Sequence, residues 1–158
     1  MATVWLTDSE MKAWRNYIES IGALTAALEL DLRPHGLTLG DYEVLVKLSE
    51  ALEQSMRMCD LAEALRLSPS GLTRRLDGLV RTGLVERRAC EGDRRVMYAH
   101  LTTTGRDKLA AAAPAHVASV RRHLLAPLDH TQVQQLGEIF AIVRQGLAAH
   151  QTAVEKTA

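Results

Sequence analysis

The dipeptide Ser68-Pro69 constrains this chain more than any other feature. Serine is a favoured N-cap, and proline is tolerated at the first helical position, where its missing amide donor would have found no partner anyway. A helix therefore starts at Pro69. Immediately before it, Met58 to Leu65 carries Leu61, Ala62 and Leu65 at helical spacing, and only Arg66-Leu67 lies between. Two helices must meet across a tight break. Along the second, Leu72, Leu76, Leu79 and Val80 share one side. Ser70, Arg74, Asp77 and Arg81 lie opposite at about 100° per residue, with Thr73 and Arg75 on the flanks. Gly83 closes the helix.

Downstream, Leu84-Val85-Glu86-Arg87-Arg88 and Val96-Met97-Tyr98-Ala99-His100-Leu101 read as short strands around the polar loop Glu91-Gly92-Asp93-Arg94-Arg95. Helix, turn, helix and hairpin in this order outline a winged helix-turn-helix over residues 55–105. Such a unit sets one helix in the major groove of DNA and a hairpin in the groove beside it. By itself the second helix also fits a plain amphipathic surface helix. What favours the groove is chemistry: short hydroxyls and long guanidinium groups reach phosphates and base edges, and narrow minor grooves attract inserted arginine. The candidate DNA contacts are Ser68, Ser70, Thr73, Arg74, Arg75 and Arg81 on the helix, with Arg94 and Arg95 at the tip. Asp93 is expected to orient the wing by pairing with a nearby arginine.

The formal charge is zero, but it is unevenly spread. Residues 1–65 hold five basic and eleven acidic side chains, residues 66–106 nine and four, and residues 107–158 five and four. All nine cations of the middle segment are arginine, whose planar fork matches phosphate and guanine better than lysine does. The basic part coincides with the helix and hairpin.

Both ends read as helical. Thr7 and Glu10 form a capping box, after which Met11, Trp14, Ile18, Ile21, Thr25, Leu28 and Leu32 recur at spacings of three and four, up to Arg33-Pro34. Thr38 and Asp41 repeat the capping-box spacing before Tyr42, Leu45, Val46 and Leu48, in a helix expected to stop near Leu52. Thr102 caps a further helix, which Pro114 should bend or break. Asp129 or Thr131 starts the last one, striped by Val133, Leu136, Ile139, Phe140, Val143 and Leu147. Stripes at both ends predict a helical dimer interface, with an intramolecular bundle as the alternative.

Leu61-Ala62-Glu63-Ala64-Leu65, Leu67-Ser68-Pro69-Ser70, Leu72-Thr73-Arg74, Leu79 to Val85, Asp93-Arg94-Arg95 and Leu101-Thr102-Thr103-Thr104-Gly105 closely resemble the MarR (multiple antibiotic resistance regulator) family. The likeness is close over the central third and loose at the ends. It implies a homodimeric winged-helix regulator, most often a repressor, that binds a palindromic operator in double-stranded DNA. Release follows binding of a small, often phenolic effector or oxidation of a cysteine. It also implies that Ser70, Thr73 and Arg74 work in the major groove, that Arg95 enters the minor groove, and that Arg94 contacts a phosphate or an acid. Upstream of the tip, Ala89-Cys90-Glu91 departs from the pattern in offering few cations. Effectors in the family bind between the dimer helices and the DNA-binding lobe, where Trp14, Tyr17, His35 and Tyr42 are the candidates; each also suits a core or interface position.

Cys90 lies among arginines in sequence, which favours thiolate and so oxidation; the alternative is a bystander thiol, since no resolving cysteine is evident. Cys59 and Cys90 make neither a disulfide framework nor a metal motif. His116, His123 and His130 recur every seventh residue, too far apart along a helix for one ion, so no metal and no cofactor is expected. The sequence shows no phosphate-binding glycine loop, no nucleophile elbow and no paired metal-binding histidines on a helix, which argues against an enzyme. A protein-assembly module without an operator is the alternative of another class. Lacking a leader-like start or a run of about eighteen apolar residues, the chain is expected to be cytoplasmic, with no membrane partner.

The expected class is thus mostly α (α+β). A dimerisation helix spans 1–36, a winged helix-turn-helix 37–105 and dimerisation helices 106–151, followed by a frayed tail over 152–158.

Overall fold

The computed structural model describes residues 4–90, 92–93 and 95–155; Glu91 and Arg94 of the expected tip, and the chain from 156 on, lie outside the described residues. In order come α1 (Asp8–Leu32), α2 (Leu39–Glu50), β1 (Ser55–Arg57), α3 (Met58–Ala64) and α4 (Pro69–Arg81). After these follow β2 (Val85–Ala89), β3 (Met97–Leu101), α5 (Thr103–Val120), a π-helical turn (Arg121–Leu125) and α6 (His130–Glu155). The protein is mostly helical with a small antiparallel sheet, a winged helix-turn-helix fold.

Contacts divide the chain into two units, Met1–Ser119 and Val120–Ala158. The first holds one core: Leu32 of α1, Leu37, Tyr42, Val44, Leu45 and Leu48 about α2, Leu61 and Ala62 of α3, Leu72, Leu76 and Leu79 of α4, Val85, Ala99 and Leu101 of the sheet, and Ala112 of α5. Each leucine so buried contributes about 2 kcal/mol in area terms. Three inward leucines along α4 therefore fix its rotation.

Local signals start these helices. Both capping boxes form: Thr7 Oγ1 accepts the Glu10 amide while Glu10 accepts that of Thr7, and Thr38 and Asp41 do the same. The α1 residue Glu29 adds a carboxylate oxygen 2.6 Å from the Leu39 amide, which secures α2 to α1. Both helices of the helix-turn-helix end in Schellman motifs. For α3, Leu67 donates to the Ala62 carbonyl and Arg66 to that of Glu63; for α4, Leu84 donates to Leu79 and Gly83 to Val80. Gly83 takes φ +72° without strain, whereas Arg66 takes φ 52° with a side chain.

The sheet order is β1-β3-β2. Val85, Arg87 and Ala89 of β2 pair with Leu101, Ala99 and Met97 of β3, and Ser55, Met56 and Arg57 pair with His100, Ala99 and Tyr98. Entry to α5 is tight. Thr102 Oγ1 accepts the Gly105 amide at 2.9 Å and lies 2.7 Å from the Gly83 carbonyl, and a Cβ at Gly105 would run into the Leu84 carbonyl.

Four features differ from the sequence reading. β1 was not expected: its three residues carry no alternation and take their strand form from β3. Val80 is 37% exposed, since it lies at the edge of the arc spanned by Leu72, Leu76 and Leu79. Pro114 does not break α5, which continues to Val120; Pro114 and Ala110, whose carbonyl loses its usual donor, are both exposed, so that carbonyl is open to solvent and the lost bond costs little. The last helix runs on through Thr152 to Glu155, past the point where the tail was expected to begin.

The second unit is simpler. Asp129 and Gln132 exchange side chain to amide hydrogen bonds of 2.9 Å, starting α6 at His130 as the sequence leads one to expect. Ile139, Phe140, Ile142, Val143 and Leu147 of α6 are all exposed in the single chain.

Two expectations follow from the core. Gly105→Ala places a methyl group against the Leu84 carbonyl and should cost about 1–3 kcal/mol, read as a lower Tm. The His116 ring lies 4.3 Å from that of Tyr42, and burial lowers its pKa from the ordinary 6.5, with Glu43 opposing. A lowered folded pKa means the unfolded chain binds the proton more readily, so stability is greatest above 6.5 and declines as pH falls towards the folded pKa. His116→Phe keeps the stack and should flatten Tm between about pH 7.5 and about pH 5.5.

Candidate nucleic-acid interface

The outward side of α4 follows from burial of its inward side. With Leu72, Leu76 and Leu79 inside, Ser68, Ser70, Thr73, Arg74 and Arg81 are all exposed. Ser68 Oγ accepts the Gly71 amide at 3.1 Å and lies 3.2 Å from Ser70 Oγ. The Thr73 hydroxyl donates to the Pro69 carbonyl at 2.9 Å, so toward a ligand it offers its methyl group and oxygen lone pairs. Among the described residues, Arg74, Arg81 and Arg95 form no salt bridge with an acid. Their guanidinium groups are available to an external anion.

Arg75 is placed otherwise than the sequence reading has it. Its half-buried guanidinium packs directly over Gly40 in the first turn of α2, in the space a β-carbon there would fill. It ties two helices together instead of joining the outward face.

At the wing, Asp93 orients the tip through the backbone. Its Oδ1 accepts the Arg95 amide at 2.9 Å, its carbonyl accepts the Val96 amide at 2.9 Å, and Cys90 donates to the Val96 carbonyl at 2.8 Å. The carboxylate thus makes an Asp-type turn, the local bond an aspartate side chain makes with the amide two residues on, while any pairing with Arg94 lies outside the described residues. Arg95 itself is exposed, and the position expected for Arg94 lies outside the described residues.

Three polar links were missed from sequence. Arg87 of β2 donates from Nη2 to the Thr73 carbonyl at 3.0 Å and to Asp77 Oδ1 at 2.8 Å. The signal was available: strand alternation puts Arg87 on the same inward face as Val85, an odd place for a cation without a partner. Arg88 pairs with Glu86 on the other face. Beside them Arg57 donates from Nε to the Tyr98 hydroxyl at 3.1 Å and lies 6.0 Å from the ring centre, and that hydrogen bond raises its pKa.

The four residues expected to line an effector pocket do not converge within one chain. Trp14 and Tyr17 are neighbours on the exposed part of α1, with ring centres 6.0 Å apart. Helical rise sets Trp14 about 27 Å from Leu32 along the axis, and Leu32 shares the core with Tyr42. His35 is half-buried in the turn after α1, while Tyr42 stacks on His116. Cys90 is half-exposed, Cys59 is exposed and close to the Asp60 carboxylate, and both thiols are free. Among the described residues no group of His, Cys, Asp and Glu is arranged to hold a metal ion, and no helix is long and apolar enough to cross a membrane.

The model of the MarR family matches residues 37–97, the span that builds this surface. Two solved structures from Streptomyces coelicolor superpose over nearly the whole chain. AbsC, a MarR family transcriptional regulator, is 43% identical, with a TM-score of 0.87 over 93% of this chain and 99% of its own. Sco3205, a MarR family transcriptional regulator determined in complex with DNA, is 36% identical, with a TM-score of 0.87 over 92% of each chain. This chain belongs to the MarR family. Members are DNA-binding transcriptional regulators without enzymatic activity. The HTH-type transcriptional repressor YetL of Bacillus subtilis (strain 168) is 30% identical over 108 residues, 66% of this MarR-family chain and 65% of the repressor's length.

The geometry of the tip gives a direct expectation. Asp93→Ala removes the acceptor for the Arg95 amide, a hydrogen bond worth about 1 kcal/mol net, so exchange of that amide should speed up about fivefold while Tm barely moves.

Proposed function

We propose that this MarR-family protein is a homodimeric repressor that holds a palindromic operator and lets it go when a small effector binds. The observation that carries the reading is the exposed face of Ser70, Thr73 and Arg74 on α4, turned out by the burial of Leu72, Leu76 and Leu79, together with the exposed Arg95 at the wing. In this reading Ser68, Ser70, Thr73 and Arg74 meet the major groove and Arg95 the minor groove, while Arg81 contacts a phosphate. The DNA complex of the similar Sco3205 and the repressor description of YetL support it.

Dimerisation is supported by apolar surface that a single chain leaves open. On α1, Trp14 is 53% exposed and Tyr17, Ile18 and Ile21 are also exposed, along the seam that ends in the fully buried Leu32. The stripe of α6 is likewise uncovered. Soluble chains seldom leave contiguous patches of this kind without a partner. A two-fold dimer would set two α4 helices about one DNA turn apart, which is what a palindrome requires.

For the effector, the supporting observation is polar atoms without partners beside an aromatic pair. His116 Nδ1, on the ring that stacks on Tyr42, and Ser119 Oγ three residues further along α5 are buried with no hydrogen-bond partner among the described residues. A small aromatic molecule would find both stacking and hydrogen bonding there. An effector that binds the misfit form about a hundredfold better per dimer weakens DNA binding by up to about 2.7 kcal/mol.

Selection of bound fragments from random duplex DNA at stated salt tests the whole reading. The expected product is a two-fold symmetric sequence; no enrichment, or a monomer by sedimentation at micromolar concentration, would refute it. On the selected duplex, Arg74→Ala should cost about 1–3 kcal/mol and relax specificity at one position of each half-site. Arg95→Ala should weaken binding and make its salt dependence shallower.

A further inference from the structure

We infer that Arg87 is a positioning residue for DNA recognition, a strut that holds the wing at a set distance from the reading helix. This rests on the regulator reading above and adds a residue to it that touches no nucleic acid. Arg87 stands at the centre of β2, paired with Ala99 of β3, on the sheet face that also carries Val85 into the core. Its side chain is only 28% exposed, and its Nε is buried with no hydrogen-bond partner among the described residues. From Nη2 it makes two bonds to α4, 3.0 Å to the Thr73 carbonyl and 2.8 Å to Asp77 Oδ1.

Those two acceptors explain why the contact matters. Thr73 and Asp77 flank Arg74 on the middle turns of α4, the part of the helix that faces outward. One nitrogen bound both to a backbone carbonyl and to a side chain a turn later fixes position along the helix axis as well as separation from it. Both bonds are charge-assisted on the donor side, the stronger class of hydrogen bond. β2 leaves α4 through Gly83 and carries the tip with Arg95; Val85, Ala99 and the pairing of β3 with β1 hold the base of the hairpin, and Arg87, two residues nearer the tip than Val85, ties it to the middle of α4. The same ion pair neutralises Asp77, a carboxylate on the side of α4 that would otherwise repel phosphate.

A strut predicts coupling, whereas an independent DNA contact predicts additivity. The test uses the full chain with Arg87→Met, which keeps the packed stem and removes both donors, alone and combined with Arg95→Ala. In DNA-free protein, amide exchange across β2 and β3 should quicken in Arg87→Met while α2 and α5 stay protected. On the selected operator, Arg87→Met should lower affinity about tenfold at a temperature well below Tm, and the penalty of Arg95→Ala should shrink in its presence. Penalties that simply multiply, or a lower Tm with operator affinity unchanged, would overturn the inference. The exchange measurement needs no DNA: unchanged wing exchange sinks the strut alone, and a wild-type chain that selects no duplex sinks the regulator reading alone.

Discussion

The burial of one side of α4 is the constraint on which the rest of this molecule depends. Leu72, Leu76 and Leu79 are at most 2% exposed, and they lock a thirteen-residue helix in one rotational setting. A helix with three fixed inward side chains has no freedom left in its opposite face. Ser70, Thr73 and Arg74 are turned out because leucine is turned in, so the hydrophobic effect does the aiming and the polar groups inherit their direction. The core it joins draws on both flanks: Leu32 and Ala112 bring α1 and α5 to the same cluster as the sheet.

Around that rod, polar contacts perform the finer adjustments. Glu29 secures α2, Arg75 lies across Gly40, and Thr102 brings the start of α5 against the carbonyls at the end of α4 and the start of β2. Arg87 then links wing to helix. Each of these joins segments apart in sequence, and the links made by Glu29, Thr102 and Arg87 each involve a backbone group that no pattern of side chains announces. They are partly exposed and individually modest, so their importance lies in geometry more than in stability.

Legibility followed locality. Both capping boxes, the Ser68 cap with Pro69 behind it and the helix start at Asp129 are signals that span four residues or fewer, and the structure forms each one. β1 was invisible because three residues carry no period and become a strand only when β3 lies beside them. Arg75 looked like a DNA contact because helical angle alone puts it on a flank; its direction was settled by the open space over Gly40 in another helix. The outcome at Pro114 turned on exposure, since a carbonyl that loses its donor to proline is costly only where water cannot reach it.

The amino-acid sequence by itself determined where the helices begin, which face of α4 is apolar, and the family to which the motifs point, because capping, periodicity and turn chemistry act between near neighbours. Tertiary structure alone decided which arginines are turned to solvent and which are spent on other helices. It also left the α1 and α6 stripes exposed and brought Tyr42 to His116 instead of to Trp14. The physical reason is that a guanidinium group on a long, flexible stem goes to whichever acceptor the fold brings within reach, and the identity of that acceptor is a property of the packed chain.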